Sequence, residues 1–439
     1  MNFNSILCTF FLWALLLCPS FVWALTLQET LTVVLASNPK LQSSQEQVWI
    51  KKEQARQAYA GFLPTVTATG SYSVEEINNS TTRKTRQPTT AALAMNQTLF
   101  KGGGVRADYK SAEEGLEEQK RVHEANAQNI LLEVVTAYVN LLTAQEVYAQ
   151  QVGLLQVLEK TAEATQIRFK AGDVTRTDVA QAEARLASIK AGVLQAEGEI
   201  INTRLVLEKL LGRSVEDERL LWPLSLPVGI PENIDAALIE AMENHPELLQ
   251  ALHSLRAAKE DIHSAKSGYW PELTANASIA RSEGTAARDN TSKKIGLNLT
   301  VPLYKGGETT SEVREAVYQH AAAQSDYEVV RRQITEEVYN AVTAHRVAKS
   351  SEQAYQTALE ASELAAKGVK REEELGQRDT LDVLNAEQEL LDAQVDLTRA
   401  KADSIISVYR LLAATGRLVD IPLLEPIQSL DPVVVEAGE

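Results

Sequence analysis

The chain repeats itself. Asn38-Pro39-x-Leu41 returns as His245-Pro246-x-Leu248, and Gly61-Phe62-Leu63-Pro64 returns as Gly268-Tyr269-Trp270-Pro271, both 207 residues later. Phe100-Lys101-Gly102-Gly103 returns as Tyr304-Lys305-Gly306-Gly307 at an offset of 204. That offset also relates Gly172 to Gly376, Asp178-Val179 to Asp382-Val383, Ala182-Glu183 to Ala386-Glu387, and Leu211-Gly212-Arg213 to Thr415-Gly416-Arg417. One register kept over such a distance predicts two copies of a single unit, and this constrains the fold before any element is assigned. The first copy is expected at 25–221 and the second at 234–416, with a tail at 417–439. Between the copies lies a linker at 222–233, opening WPLSLPVGIP, whose prolines forbid a continuous helix.

Ahead of the repeats, residues 6–18 are almost wholly apolar, and Val22 and Ala24 suit the −3 and −1 positions of a cleavage site. Residues 1–24 therefore read as a secretory signal peptide. Two alternatives stand beside it. The first is an uncleaved anchor, since the opening MNFNS lacks Lys and Arg; the second is a lipoprotein signal at Cys18, although Leu17 is bulky for that chemistry. Cys8 and Cys18 are the only cysteines, so nothing after them can form a disulfide or a Cys-ligated zinc site. With 59 acidic against 43 basic side chains, a net charge of −16 excludes a nucleic-acid partner, which needs a basic face.

Each copy reads as helix, two strands, long helix, tight turn, helix. In strand 63–74, Val66, Ala68, Gly70, Tyr72 and Val74 alternate with Thr65, Thr67, Thr69, Ser71 and Ser73. In strand 91–100, Ala91, Leu93, Met95 and Leu99 share one side, interrupted by Gln97. Strand 271–281 sets Leu273, Ala275, Ala277 and Ile279 against Thr274, Asn276 and Ser278. Strand 295–304 sets Ile295, Leu297, Leu299, Val301 and Leu303 against Gly296, Asn298 and Thr300. Period two gives each strand one apolar and one small polar face, and roughly ten residues is the span of a tilted transmembrane strand. Phe62, Phe100, Tyr269, Trp270 and Tyr304 flank the strands at matched places, as an aromatic girdle would. The polar connections 75–90 and 281–294 suit extracellular loops. A soluble sandwich with a half-buried sheet is the alternative on the strands alone.

From about 105 to 170 there is no proline, and at 1.5 Å per residue a helix there would reach roughly 100 Å. The following helix carries Val179, Ala182, Leu186, Ile189, Val193, Ala196 and Ile200 at coiled-coil spacing. Its counterpart carries Val383, Ala386, Leu390, Ala393, Leu397 and Ala400. The helices join at Ala171-Gly172-Asp173 and Leu375-Gly376-Gln377, so helical hairpins of about 105–211 and 308–415 are expected. A lipid-facing sheet must close, closure takes about eight strands, and one chain supplies four. The barrel must be shared among chains, and a barrel opening into long helices is a conduit.

Taken in order and doubled, these landmarks resemble the TolC-like outer membrane efflux protein (OEP) family over essentially all of 25–420. The resemblance rests on Leu25-Thr26-Leu27 with Asn38-Pro39, the Gly-x-Leu-Pro before the first strand, and the Phe-x-Gly-Gly after the second. It rests also on Arg168-Phe169-x-x-Gly172, Glu374-Leu375-Gly376, and the segments Asp178-Val179 and Leu381-Asp382-Val383-Leu384-Asn385-Ala386. It implies a mixed α and β membrane protein of two tandem repeats: a homotrimer with a shared twelve-stranded transmembrane β-barrel and a periplasmic α-helical coiled-coil barrel. It implies an exit duct in the cell outer membrane for a tripartite efflux or type I secretion system. Its partners would be a periplasmic adaptor (membrane fusion) protein, an inner-membrane pump and outer-membrane lipid.

The same resemblance places adaptor-docking hairpin tips at Gly172 and Gly376. It places a pore constriction at Asp382 and Asn385, where Asn385 stands in for a second acid and halves the expected ring charge. Arg378 matches a basic gate latch with Thr177 and Asp178 as its expected partners, and the family's latch tyrosine falls at Glu373. Replacing Arg378 by Ser or Asp178 by Ala is then expected to widen the closed aperture.

The six histidines, at 123, 245, 253, 263, 320 and 345, show no metal-ligand spacing, and His345 falls on a helical seam as a structural polar residue. Lys101-Gly102-Gly103-Gly104 lacks the phosphate-binding pattern, and no nucleophile–base constellation is present. No enzyme, cofactor or metal is expected. The rival function is a periplasmic adaptor or coiled-coil scaffold, which would not carry two strand pairs with matched aromatic flanks.

Overall fold

The computed structural model describes residues 24–420, apart from 80–81, 217, 224–226, 228, 232 and 285–289. The expected signal peptide apart from Ala24 and most of the tail lie outside the described residues, as does part of the linker. In chain order the elements are β1 (Ala24–Leu25), α1 (Leu27–Ser37), α2 (Pro39–Tyr59), β2 (Thr65–Tyr72), β3 (Glu75–Asn79), β4 (Thr82–Arg86), β5 (Thr89–Lys101), α3 (Gly104–Ala171) and α4 (Arg176–Leu211). There follow β6 (Arg219–Leu220), α5 (Ile234–Asn244), α6 (Pro246–Ser267), β7 (Glu272–Glu283), β8 (Asn290–Thr300), α7 (Glu308–Glu374) and α8 (Thr380–Ala414).

Several boundaries depart from the sequence reading for identifiable reasons. Two helices, not one, precede each strand pair, because Pro39 and Pro246 each begin a new helix. The connection 75–90 contains its own hairpin, β3 with β4, in which Glu75 stands opposite Arg86. β8 stops at Thr300 instead of running to 304, just before Val301-Pro302, where the ladder would lose a donor. β5 starts two residues earlier than expected, and its Gln97 interruption coincides with a bulge between Thr98 and Phe100. The Gln97 amide donates to the Phe62 carbonyl at 2.9 Å, a local use for the polar residue on that face.

The chain divides into two units. One combines the segment up to Leu41 with Ala127–Ala241 and the part from Glu336 onward; the other combines Gln42–Asn126 with Met242–Thr335. Each draws on both halves of the sequence.

The first unit is helical. Its core gathers Leu27, Leu31 and Val34 of α1, Leu131 to Leu142 of α3, Leu207 and Leu211 of α4, and Ile406 to Ala413 of α8. The middle of α3 is apolar and long enough by composition to cross a membrane, but more than half of it is buried within this core. Tyr138 is fully buried and ties β1 to the residue that follows β6. Its hydroxyl lies 2.7 Å from the Leu25 carbonyl and 2.8 Å from the Leu221 carbonyl, and accepts from the Leu221 amide at 3.0 Å. Burial pushes its pKa up to about 12. A second cluster joins Leu154 and Leu158 of α3, Ala182 and Ile189 of α4, and Leu384 and Leu391 of α8. Of the expected seams, Ala182 and Ile189 of α4 join this cluster, but on α8 it takes Leu384 and Leu391, each one position past the expected Val383 and Leu390; Ala196, Ala386, Ala393, Leu397 and Ala400 are buried elsewhere. His345 Nδ1 lies 3.0 Å from Ser407 Oγ, consistent with a structural role on its seam.

The second unit carries the main sheet, an antiparallel ladder in the order β2-β5-β7-β8. α2 and α6 lead into it, and α3 and α7 lead away. All four helix junctions lie at one end of the strands, and the loops β2–β5 and β7–β8 lie at the other.

Candidate functional site

The sheet register lines up the faces read from sequence. Val66 stands opposite Met95 and Ala68 opposite Leu93, while Leu93 meets Ile279 and Met95 meets Ala277. Ala277 in turn meets Ile295, Ala275 meets Leu297, and Leu273 meets Leu299. Residues directly opposite in an antiparallel pair share a face, so these form one continuous apolar surface. It is bare within the chain: Val66 is 61%, Leu297 71% and Ile295 92% exposed. The opposite face carries Thr65 opposite Asn96, Asn96 opposite Asn276, and Thr274 opposite Thr98 and Asn298. These side chains are small and uncharged. At the edges, β2 and β8 each pair on one side alone among the described residues.

At the helix end of this sheet stand the five sequence-predicted aromatics, Phe62, Phe100, Tyr269, Trp270 and Tyr304, all exposed. Phe62 belongs to a three-ring cluster with Tyr59 at 5.7 Å and Tyr109 at 6.1 Å. The sequence reading missed both tyrosines, although Tyr59 lies three residues before Phe62. The Phe-x-Gly-Gly turn is dictated locally. Gly102 has φ +60°, and a Cβ there would come within 2.5 Å of Trp270 Cβ.

The hairpin tips belong to the helical unit. Both tip glycines adopt left-handed conformations, Gly172 at φ +86° and Gly376 at φ +75°. Around them, Asp173 N donates to the Arg168 carbonyl and Gln377 N to the Glu372 carbonyl, the Schellman pattern that ends a helix sharply. The returning helices start on side-chain caps. Thr175 and Asp178 form a capping box, with the Asp178 carboxylate taking the Thr175 amide at 2.7 Å and its hydroxyl at 2.9 Å. Asp379 caps α8 through the Asp382 amide at 2.9 Å.

The expected latch residues are therefore engaged differently from the sequence expectation. Arg378 reaches neither Thr177 nor Asp178. Its Nε donates to Glu372 at 3.0 Å, and its Nη1 lies 3.5 Å from the Asp382 carboxylate. The Glu372 hydrogen bond, followed by the charges of Asp382 and Glu372, holds the guanidinium pKa above its ordinary value. Between the two hairpins the ion pair is instead Arg168 Nη1 to Glu373 Oε1, at 2.7 Å. Glu373 is the position at which the resemblance expects a tyrosine. Asn385, expected at the constriction, accepts from Arg185 Nη2 at 3.0 Å. Sequence reasoning missed Arg168 and Arg185 as partners; a carboxylate at 373 in place of the expected tyrosine was the signal for the first.

Comparison with known proteins bears on the family and the fold. The sequence model described as "Outer membrane efflux protein" matches residues 30–213 and 237–417. The outer membrane efflux protein BepC of Brucella suis is 30% identical over 399 residues, covering 89% of this chain and 86% of that one. The outer membrane protein TolC of Vibrio cholerae is 28% identical over 402 residues, covering 89% and 90%. Among solved structures, the CmeC outer membrane channel of Campylobacter jejuni superposes with a TM-score of 0.81 at 19% identity, covering 89% and 86%, a likeness of fold. An alternating sheet bare on its apolar face, long helical hairpins, and a family match across both halves lead to one conclusion: this chain belongs to the outer membrane efflux protein family and serves as an exit duct in the outer membrane.

Proposed function

We propose that three copies of this chain, each built from two tandem repeats, close a single barrel across the outer membrane and continue it as a periplasmic tube of helices. The duct serves an inner-membrane pump through a periplasmic adaptor, in tripartite efflux or type I secretion. The observation that carries this reading is the four-stranded sheet with an exposed apolar face and two edges unpaired among the described residues. In lipid each unsatisfied backbone group costs several kcal/mol, so such a sheet can cross a membrane only when its edges are closed. Four strands from each of three copies give twelve, enough for an aqueous lumen lined by the small polar face.

The helices support the same reading. α4 leaves Leu194, Ile201 and Leu205 exposed at seven- and four-residue steps, and α7 leaves Tyr339, Val347, Tyr355 and Leu364 exposed. Apolar stripes of this kind require neighbours, and adjacent copies would supply them. The tips at Gly172 and Gly376 form the periplasmic end and the adaptor-docking surface. There Asp382 and Asn385 narrow the pore, and the Arg168–Glu373 pair joins Arg378 in holding it shut.

The test is detergent extraction of the outer membrane followed by electrophoresis and planar-bilayer recording. Heat-sensitive trimers with stepwise conductance support the duct. Recovery as soluble periplasmic protein would favour an adaptor or scaffold instead.

A further inference from the structure

The apolar face of the sheet ends in two bases. On β7 the face runs Leu273, Ala275, Ala277, Ile279 and then Arg281; on β8 it runs Leu299, Leu297, Ile295 and then Lys293. Ile279 stands opposite Lys293 and Arg281 opposite Thr291, which makes the two bases diagonal neighbours on one face. Diagonal pairs lie about 7–8 Å apart, within reach of one ligand for side chains this long. Both stand at the loop end of the strands, away from the helices.

Their height is matched. Arg281 lies eleven residues from Trp270, and Lys293 lies eleven residues from Tyr304. At about 3.3 Å per residue and a tilt of about 40°, the strand from Glu272 to Arg281 rises about 23 Å, close to an apolar band of about 25 Å. The first strand pair has no such bases: Tyr72 stands opposite Thr89, itself eleven residues from Phe100.

Arg281 Nη2 holds the Glu283 carboxylate at 2.6 Å, and its remaining donors, beside the Lys293 ammonium, are suited to a phosphate. Immediately below them Ile279 and Ile295 offer apolar contact, so the surface fits a phosphate that carries acyl chains better than a free anion. We propose that Arg281 and Lys293 bind the phosphate of an anionic lipid in the outward-facing leaflet, one site per copy. This rests on the barrel reading above.

The test uses the full-length protein in phosphatidylcholine nanodiscs, alone or mixed with phosphatidylglycerol or lipid A, reading the temperature at which oligomers dissociate. Anionic lipid is expected to raise that temperature by several degrees for the wild type and for Arg281→Lys, and to leave Arg281→Gln/Lys293→Gln unmoved. Inorganic phosphate added to phosphatidylcholine discs is expected to change nothing. An equal rise in wild type and double variant would overturn the site, and an equal effect of inorganic phosphate would overturn its lipid character. Failure of the wild type to insert into phosphatidylcholine discs at all would instead count against the barrel.

Discussion

Arg168 of the first helical hairpin and Glu373 of the second are joined by an ion pair of 2.7 Å at the tips. Each lies within the last turn of its long helix, three residues before Ala171 or one before Glu374. An exposed pair of this kind is worth about 0.2–1 kcal/mol, enough to bias a gate and weak enough to release. Arg168→Ala and Glu373→Ala should each raise single-channel conductance of the closed duct. The swap Arg168→Glu/Glu373→Arg should return it toward the wild-type value. Unchanged conductance in both single variants would remove the pair from the gate.

The Arg378→Ser expectation now has a different basis. That side chain bridges Glu372 and Asp382 across its own α7–α8 turn, so its loss frees the Asp382 carboxylate. Asp178→Ala should act mainly as a lost helix cap, costing about 1 kcal/mol of local stability. Amide exchange at the start of α4 would report it, with accelerated exchange expected around Thr177–Val179.

Charge at the proposed constriction is open to direct test. Asp382 is paired with Arg378, and Asn385 is held by Arg185. Trivalent cations should therefore block the wild-type pore weakly, and Asn385→Asp should tighten block by about tenfold, equivalent to about 1.4 kcal/mol. Planar-bilayer titration with hexamminecobalt measures this; equal block in both proteins would refute it.

Acid should destabilise the second unit through His245. Burial lowers its pKa from 6.5 to about 4. Between those values the unfolded chain binds a proton that the folded chain refuses, so stability is full above about 6.5 and falls as pH drops through the window. At about 1.4 kcal/mol per pH unit the loss approaches about 3 kcal/mol near pH 4. The repeat supplies the variant: Asn38 is the counterpart of His245, and its Oδ1 accepts the Lys40 amide at 2.9 Å. His245→Asn should lose most of this acid sensitivity in thermal melts between pH 7 and 4.5.

Tyr138→Phe should lower the melting temperature of the helical unit. The change strands the part-buried Leu221 amide and the Leu25 carbonyl, at about 1–3 kcal/mol.

Much of this was legible in the sequence because it is written as period. Strand alternation from Val66 to Val74 and from Ile295 to Leu303, and the seam from Ala182 to Ala400, are set by which side each residue faces. The β3–β4 hairpin was not, since Thr82-Arg83-Lys84-Thr85-Arg86 has no apolar alternation to mark it as a strand. The tip pairs were also hidden. Long flexible side chains at a turn choose partners by reach, and Arg378 finds Glu372 six residues away on its own turn before it finds the other hairpin.

The shared barrel is tested most directly at its seams. The chain has no cysteine after Cys18, so single cysteines can be placed along β2 from Thr65 to Tyr72 together with one along β8 from Gly296 to Thr300. On oxidation in the outer membrane, at least one such pair should give a ladder of disulfide-linked dimers and trimers. Membrane-inserted protein that stays monomeric at every pair would contradict the account.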